Sequence, residues 1–188
     1  MSKKERRKSQ LQALKSIDHI AFQQKCFEIE QRLFHSPEWK GSRTIAITVS
    51  NPPEVNTWNI IKRGWEEGKT VVVPKCLPQK RQLIFYELCD FQQLEQSYFN
   101  LYEPDSEKTT TVRNDCIELM IVPGLAYTIR GYRLGFGGGY YDRLLSAFSG
   151  TVLSLAFEEQ IVDSLPIESF DMRVSTILTE KRRINCDH

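Results

Sequence analysis

Apolar positions along the chain follow two periodicities, one helical and one of short continuous runs. Leu11, Leu14 and Ile17 recur every three residues behind a polar start that Ser2 is placed to cap, which predicts an amphipathic helix. A second helical stretch begins at Ser16 or Asp18, passes through Ile20, Phe22, Cys26, Phe27, Ile29 and Leu33, and ends near Ser36-Pro37. Thr44–Val49 then switches to β-branched and apolar residues, as a central strand does. After a turn-rich link, Trp58, Ile61 and Trp65 share one face of a helix capped by Asn56 or Thr57 and closed by Gly68.

Val71–Lys75 and Leu83–Leu88 predict two further strands. Asp90–Asn100 reads as a short helix with a loop, and the polar segment Pro104–Asn114 as a mobile surface connection. Ile117–Val122 predicts a buried strand, and Tyr140, Leu144 and Phe148 a helix beyond it. Thr151–Phe157 is the next strand, Glu158–Ser164 a short helix stopped by Pro166, and Thr176–Thr179 a closing edge strand. This alternation predicts an α/β fold: one domain over residues 1–188, with a layered, largely parallel sheet and helices on both faces.

Composition narrows the function without naming it. The 25 Lys and Arg residues stand against 24 Asp and Glu, a net charge of +1, so no overall field recruits nucleic acid or an anionic membrane. No apolar run reaches the length of a membrane span and no apolar segment follows the basic start, so a cytoplasmic location is expected. Five scattered cysteines without a CxxC pair imply free thiols, and His19, His35 and His188 fall in no catalytic or zinc motif.

The chemistry concentrates between Pro123 and Arg143, which holds six of the ten glycines. Gly135, Gly137, Gly138 and Gly139 lead into the helix of Tyr140 and Tyr141, where backbone amides are free to meet an anion. The run is neither a P-loop nor GxGxxG, yet phosphate is its natural guest. Asp142 follows in the first helical turn, and a carboxylate beside phosphate calls for a bridging cation such as Mg²⁺. Glu54 lies just past a strand's C-terminal end, where open α/β sheets place ligands. The basic segment Lys3–Lys8 reads as a solvated face, a nucleic-acid patch, or cations that reach a phosphate elsewhere.

The string from Arg133 to Arg143, with Pro123-Gly124-Leu125-Ala126 ahead of it, resembles the 5-formyltetrahydrofolate cyclo-ligase family. Lys3…Arg7, Glu54-Val55-Asn56-Thr57, Val73-Pro74-Lys75, Tyr102-Glu103-Pro104 and Asp171-Met172-Arg173-Val174 are similar to that family in the same order. The resemblance implies a fold like that of the NagB/RpiA/CoA-transferase group, and ATP-driven closure of 5-formyltetrahydrofolate to its 5,10-methenyl form by a monomer. It also implies that ATP is held by Lys3, Arg7, Arg133, Leu134, Gly135, Phe136, Gly137, Gly138, Gly139, Tyr140 and Tyr141. Mg²⁺ falls to Asp142 and Asp171, and the folate to Glu54, Val49, Phe136, Gly137, Gly138 and Tyr140. Arg133, Tyr140 and Asp142 are then the catalytic candidates, with Lys75 and Arg130 as further cations for the transferring phosphoryl group. Phe136 departs from the family, where a basic residue is common. A nucleotide-binding module without turnover and an RNA-binding protein are the competing classes. Glu54 and Asp171 weigh against the first, and the neutral charge against the second.

Overall fold

A computed structural model describes residues 1–97 and 100–186. The central sheet has eight strands, and its three innermost neighbours set the frame. Strand β1 (Thr44–Ala46) lies between β2 (Thr70–Leu77) and β7 (Leu119–Ile121), parallel to both. On one side β7 continues to β10 (Thr151–Leu155) and β11 (Thr176–Leu178), still in parallel. The two margins are antiparallel: β3 (Gln82–Glu87) and β6 (Thr110–Val112) beyond β2, and β12 (Arg183–Asn185) beyond β11. The mixed, mostly parallel sheet expected from the alternation of elements is what the chain forms.

Register explains the layers. Alternate residues of each inner strand point to opposite faces, and both faces are buried. Ile45, Ile47, Val71, Val73, Leu119, Ile121, Leu153 and Leu155 form one core. Helix α2 (His19–Phe34) adds Ile29 and Leu33 to it, α3 (Pro37–Gly41) adds Trp39, and α4 (Trp58–Glu66) adds Ile60 and Ile61. Helix α1 (Lys3–Lys15) closes the end of this layer through Leu14. On the opposite face Ala46, Val72, Met120 and Val152 meet α5 (Tyr140–Leu145) through Leu145, Tyr140 and Tyr141. Strands buried on both faces read as unbroken apolar runs, which is why they stood out in the sequence.

Several elements differ from expectation, each for a local reason. Pro104–Asn114 is no loose connection, because β-branched Thr110 and Thr111 pair with β3 as an edge strand. Thr176–Thr179 does not end the sheet. The Thr179 hydroxyl accepts from the backbone N–H groups of Lys181 and Arg182, and this turn folds β12 back over the edge. Glu158–Ser164 keeps only a single 3₁₀ turn, Glu158–Gln160.

Within Asp90–Asn100, a 3₁₀ turn at Phe91–Gln93 runs into β4 (Leu94–Gln96), which pairs with β5 (Tyr102–Pro104). Residues 98 and 99 of that stretch, like His188, lie outside the described residues. The small hairpin is pinned to α4 by aromatic contacts, Trp58 with Phe91 at 4.9 Å and with Tyr102 at 5.4 Å. Ser36, taken as the end of α2, also caps α3, with Pro37 at its first position.

Burial sets a stability contrast between two isoleucines. Ile61 is fully buried in the core and Ile20 is 78% exposed. Ile61→Ala should lower the unfolding free energy by about 2–5 kcal/mol, and Ile20→Ala by about 0.5 kcal/mol or less. Urea unfolding of both variants measures the difference.

Candidate functional site

The parallel strands β1, β7 and β10 all end on one side of the sheet, and the chain leaving them builds a cleft there. Pro123–Leu125 follow β7 along its floor, and the 51–54 turn after β1 forms one wall. Leu11 and Leu14 of α1 form the opposite wall, and Phe136, 54% exposed, stands at the rim. This inner lobe has a volume of about 240 Å³. A second lobe of about 620 Å³ adjoins it, and Leu14, Lys15, Pro52, Pro53 and Glu54 line both.

The chain does not pass directly from β7 into the glycine loop. A small hairpin intervenes, β8 (Ala126–Tyr127) paired with β9 (Arg133–Leu134), and the loop 135–139 leaves β9 for α5. Arg133 organises both the loop and the start of the helix. Its side chain is only 3% exposed, its Nη2 lies 3.1 Å from Asp142 Oδ1, and its guanidinium packs 5.6 Å from the Tyr141 ring. A Cβ on Gly135 would stand 3.1 Å from Arg133 Nη1, so the missing side chain lets the loop approach the guanidinium. Gly137 has φ +113°, a left-handed conformation that other residues rarely adopt. Arg133 Nε is buried without a hydrogen-bond partner, a donor held in reserve beside the loop.

Helix α1 crosses the chain's whole length to reach this loop. Arg7 Nε donates to the Gly135 carbonyl at 2.8 Å, and its guanidinium carbon lies 3.6 Å from where a Gly137 Cβ would be. One turn earlier, Lys3 Nζ sits 3.0 Å from Asp171 Oδ2 and 2.9 Å from Glu168 Oε2. One turn later, Gln10 Nε2 donates to the Glu159 carbonyl at 2.7 Å. Lys3, Arg7, Gln10 and Leu14 therefore form a single inward stripe at helical spacing, while Lys4 and Lys8 face solvent. Of the readings open for the basic segment, cations reaching the glycine loop fit this geometry.

Asp142 lies against the segment that carries Asp171, where the backbone N–H of Met172 donates to Asp142 Oδ1 at 3.1 Å. Each has a cation of the protein as partner, Arg133 for Asp142 and Lys3 for Asp171. No group of three or more His, Cys, Asp or Glu suited to a metal occurs among the described residues. Carboxylate oxygens of this kind at the foot of the glycine loop suit Mg²⁺, a hard cation that takes one or two carboxylates and completes its shell with water or phosphate.

Glu54 stands where the two lobes meet, beside the cis Pro52–Pro53 peptide. Burial pushes its carboxyl up to about 7, only partly offset by the backbone of Asn51. Its charge also contributes to the upward shift of the buried Tyr127 and Tyr141 phenols, which places it within electrostatic reach of α5.

The other expected residues fall into three groups. Gly138 is covered by the Tyr140 ring, 2.4 Å from a would-be Cβ, while Leu134 is buried in the β8–β9 ladder. Val49 packs in the core and the cleft is lined instead by its neighbour Thr48. Lys75 is committed to Glu95 and to the Pro104 carbonyl, and Arg130 is exposed, so of these three cations Arg133 is the one at the loop, where it joins Arg7. Burial pushes the Cys26 and Cys76 thiols up to about 11, so neither is poised as a nucleophile.

Sequence reasoning missed Gln160. Its amide donates to the Gly124 and Leu125 carbonyls at 3.0 and 3.2 Å and accepts from the Phe157 N–H at 2.8 Å, which braces the cleft floor. It lies in a 3₁₀ turn with no periodic signal, and directly after Glu158 and Glu159 it reads as one more solvated polar residue.

Residues 1–180 match the profile of the 5-formyltetrahydrofolate cyclo-ligase family. A probable 5-formyltetrahydrofolate cyclo-ligase of Schizosaccharomyces pombe is 28% identical, over 95% of this chain and 97% of its own length. The 5-formyltetrahydrofolate cyclo-ligase of Haemophilus influenzae is 29% identical, over 80% of this chain and 82% of its own. Among solved structures, 5,10-methenyltetrahydrofolate synthetase of Aquifex aeolicus superposes with a TM-score of 0.87 at 28% identity, covering 100% of this chain and 94% of that one.

The Arg133–Asp142 pair makes truncation at Asp142 a structural change as well as a chemical one. Asp142→Ala leaves a buried guanidinium without its counter-charge and should lower stability by about 3–5 kcal/mol. Asp142→Asn keeps an oxygen acceptor and should lose less than half of that, as thermal or urea unfolding of the two variants would measure.

Proposed function

The chain belongs to the 5-formyltetrahydrofolate cyclo-ligase family, and from that premise we propose that it uses ATP to close 5-formyltetrahydrofolate to 5,10-methenyltetrahydrofolate, releasing ADP and phosphate. It acts as one domain, a cytoplasmic monomer with no nucleic-acid or membrane partner. The observation that carries this reading is the juxtaposition of Arg7 on the glycine loop with a cleft, opening beside that loop, whose junction holds a half-buried carboxyl group.

The formyl oxygen of the substrate is a poor leaving group. Transfer of the γ-phosphoryl group to it breaks the bond to ADP and makes a phosphate ester on the formyl carbon. N10 then attacks that carbon, its proton passes to solvent, and the C–O bond breaks to release phosphate and leave the methenyl bridge. Such chemistry asks the protein for placement and charge neutralisation more than for covalent participation.

The residues supply those needs in distinct ways. Arg7 reaches the glycine loop from α1 and Lys3, one turn earlier, reaches Asp171, so that both would neutralise phosphate oxygens, while the loop between Arg133 and Tyr141 offers backbone amides. Arg133 directs a buried guanidinium toward charge that grows during transfer. Asp142 and Asp171 would hold Mg²⁺, which when bound neutralises phosphate charge and orients the transferred group. Glu54, in the cleft lining, accepts the N–H donors of the reduced pterin, Phe136 stands at the same cleft, and Gly137, Gly138 and Tyr140 of the adjoining loop border the reacting end of the folate.

Two measurements test the reading. Protein mixed with 5-formyltetrahydrofolate, ATP and Mg²⁺ should develop the near-ultraviolet band of the methenyl product, and a flat trace would refute the proposal. Glu54→Gln removes a charge-assisted contact and should raise the folate KM about ten- to a hundredfold, with little change in the ATP KM.

The sign of the pH effect comes from the raised carboxyl group. Glu54 is protonated below about 7 in the free protein, whereas the donor groups of the pterin prefer the carboxylate. Folate binding should therefore release a proton and tighten as pH rises from about 6 to about 8. In Glu54→Gln that slope should vanish.

A further inference from the structure

Hydrogen bonds that reach the cleft from different elements close into a single circuit. Arg7 Nε donates to the Gly135 carbonyl at 2.8 Å, where the glycine loop begins. The residue before it, Leu134, accepts at 2.7 Å from the backbone N–H of Leu125 on the cleft floor. The Leu125 carbonyl accepts in turn from the Gln160 amide at 3.2 Å, and the carbonyl of the neighbouring Glu159 accepts from Gln10 Nε2 at 2.7 Å. Gln10 lies one helical turn beyond Arg7 on α1, which returns the circuit to its start. Leu11, Leu14, Gly124, Leu125, Phe136 and Gln160 all line the inner lobe, so the circuit runs around the place where the two substrates would meet.

We propose that Gln160, supported by Gln10, is a positioning residue for phosphoryl transfer: it holds the cleft floor at a fixed distance from the glycine loop and so sets the formyl oxygen against the γ-phosphoryl group. This rests on the cyclo-ligase reading of the cleft.

The chemistry of the side chain gives it this task and no direct one. Gln160 is 3% exposed, and both hydrogens of its amide are spent, on the Gly124 carbonyl at 3.0 Å and on that of Leu125. Its oxygen accepts from the Phe157 N–H at 2.8 Å. It has no hydrogen left to offer a substrate and acts through the floor it holds. Gly124 and Leu125 lie between β7 and β8, where no strand ladder pairs their carbonyls, so the amide is what fixes them. The turn that carries Gln160 is itself anchored. The Val162 N–H donates to the Tyr127 carbonyl at 2.8 Å, and the Glu159 carboxylate pairs with Lys25 of α2.

Opening the circuit leaves each substrate its own contacts, ATP with Lys3, Arg7 and the loop, and the folate with Glu54. What is lost is their mutual placement, and a shift of about 1 Å between reacting groups costs on the order of a hundredfold in rate. The effect should therefore fall on kcat and spare both KM values.

The test uses Gln160→Met and Gln10→Met, which keep the length of the side chain and remove its hydrogen bonds, and the double variant, each assayed below its thermal unfolding transition with 5-formyltetrahydrofolate, ATP and Mg²⁺. Gln160→Met should lower kcat about ten- to a hundredfold and Gln10→Met about three- to tenfold, with the KM for ATP and for folate each within about threefold of the unaltered protein. A circuit opened once has little more to lose, so the double variant should match Gln160→Met within about twofold instead of showing the product of the two losses. Losses that multiply, or that appear in KM with kcat preserved, would overturn the positioning role. Should Gln160→Met not fold, Gln10→Met decides alone, and an unchanged kcat there would overturn the circuit. These results leave the cyclo-ligase reading standing, whereas an unaltered protein that forms no methenyl product would overturn both.

Discussion

A guanidinium withdrawn almost completely from water is the constraint on which the rest of the site depends. Arg133 must find its compensation inside the fold, and it does so through Asp142 and the face of Tyr141. Those two residues are the third and second of α5, so the pairing fixes where that helix begins. It also dictates the loop before the helix, because Gly135 has to pass within van der Waals reach of the same guanidinium. A glycine-rich loop would otherwise be the loosest part of the chain; here it is clamped at its base by a buried ion pair and at its crest by Arg7.

The clamp joins the two layers that pack on opposite faces of the sheet. Arg133 and α5 belong to one face of the sheet, and α1 packs at the end of the other. Arg7, Lys3 and Gln10 bridge them across the exposed ends of the parallel strands. The cleft is the space this bridge encloses. Its floor is braced by Gln160, whose amide holds two carbonyls that belong to no sheet or helix.

Much of this arrangement was legible in the residues, and the failures share a pattern. Buried parallel strands such as Val71–Val73 and Leu119–Ile121 announce themselves because both faces need apolar side chains. The glycine block and Asp142 were visible as chemistry, and the family resemblance singled out Lys3 and Arg7 from a run of interchangeable cations. The helical stripe through Gln10 and Leu14 carries Lys3 and Arg7 on its inward side and turns Lys4 and Lys8 outward. Edge elements were misread, since β6 and β12 carry polar residues on open sides and resemble loops. Val49 was named through the family resemblance alone, and its side chain packs into the core beside Ile45 and Ile47. Gln160 could not be found at all, for it acquires its role only through partners far away in sequence.

That last property has a consequence for how the molecule is made. Arg7 and the carbonyl it holds are 128 residues apart, and Lys3 and Asp171 are separated by 168. During synthesis the first helix emerges long before anything exists for its polar stripe to grip. The sheet can assemble around β1, β2 and β7 while α1 still waits, and the cleft acquires its second wall only after the segment at Asp171 has left the ribosome. The completed site thus depends on contacts between the first and last thirds of the chain, and a chain lacking either third keeps none of it whole.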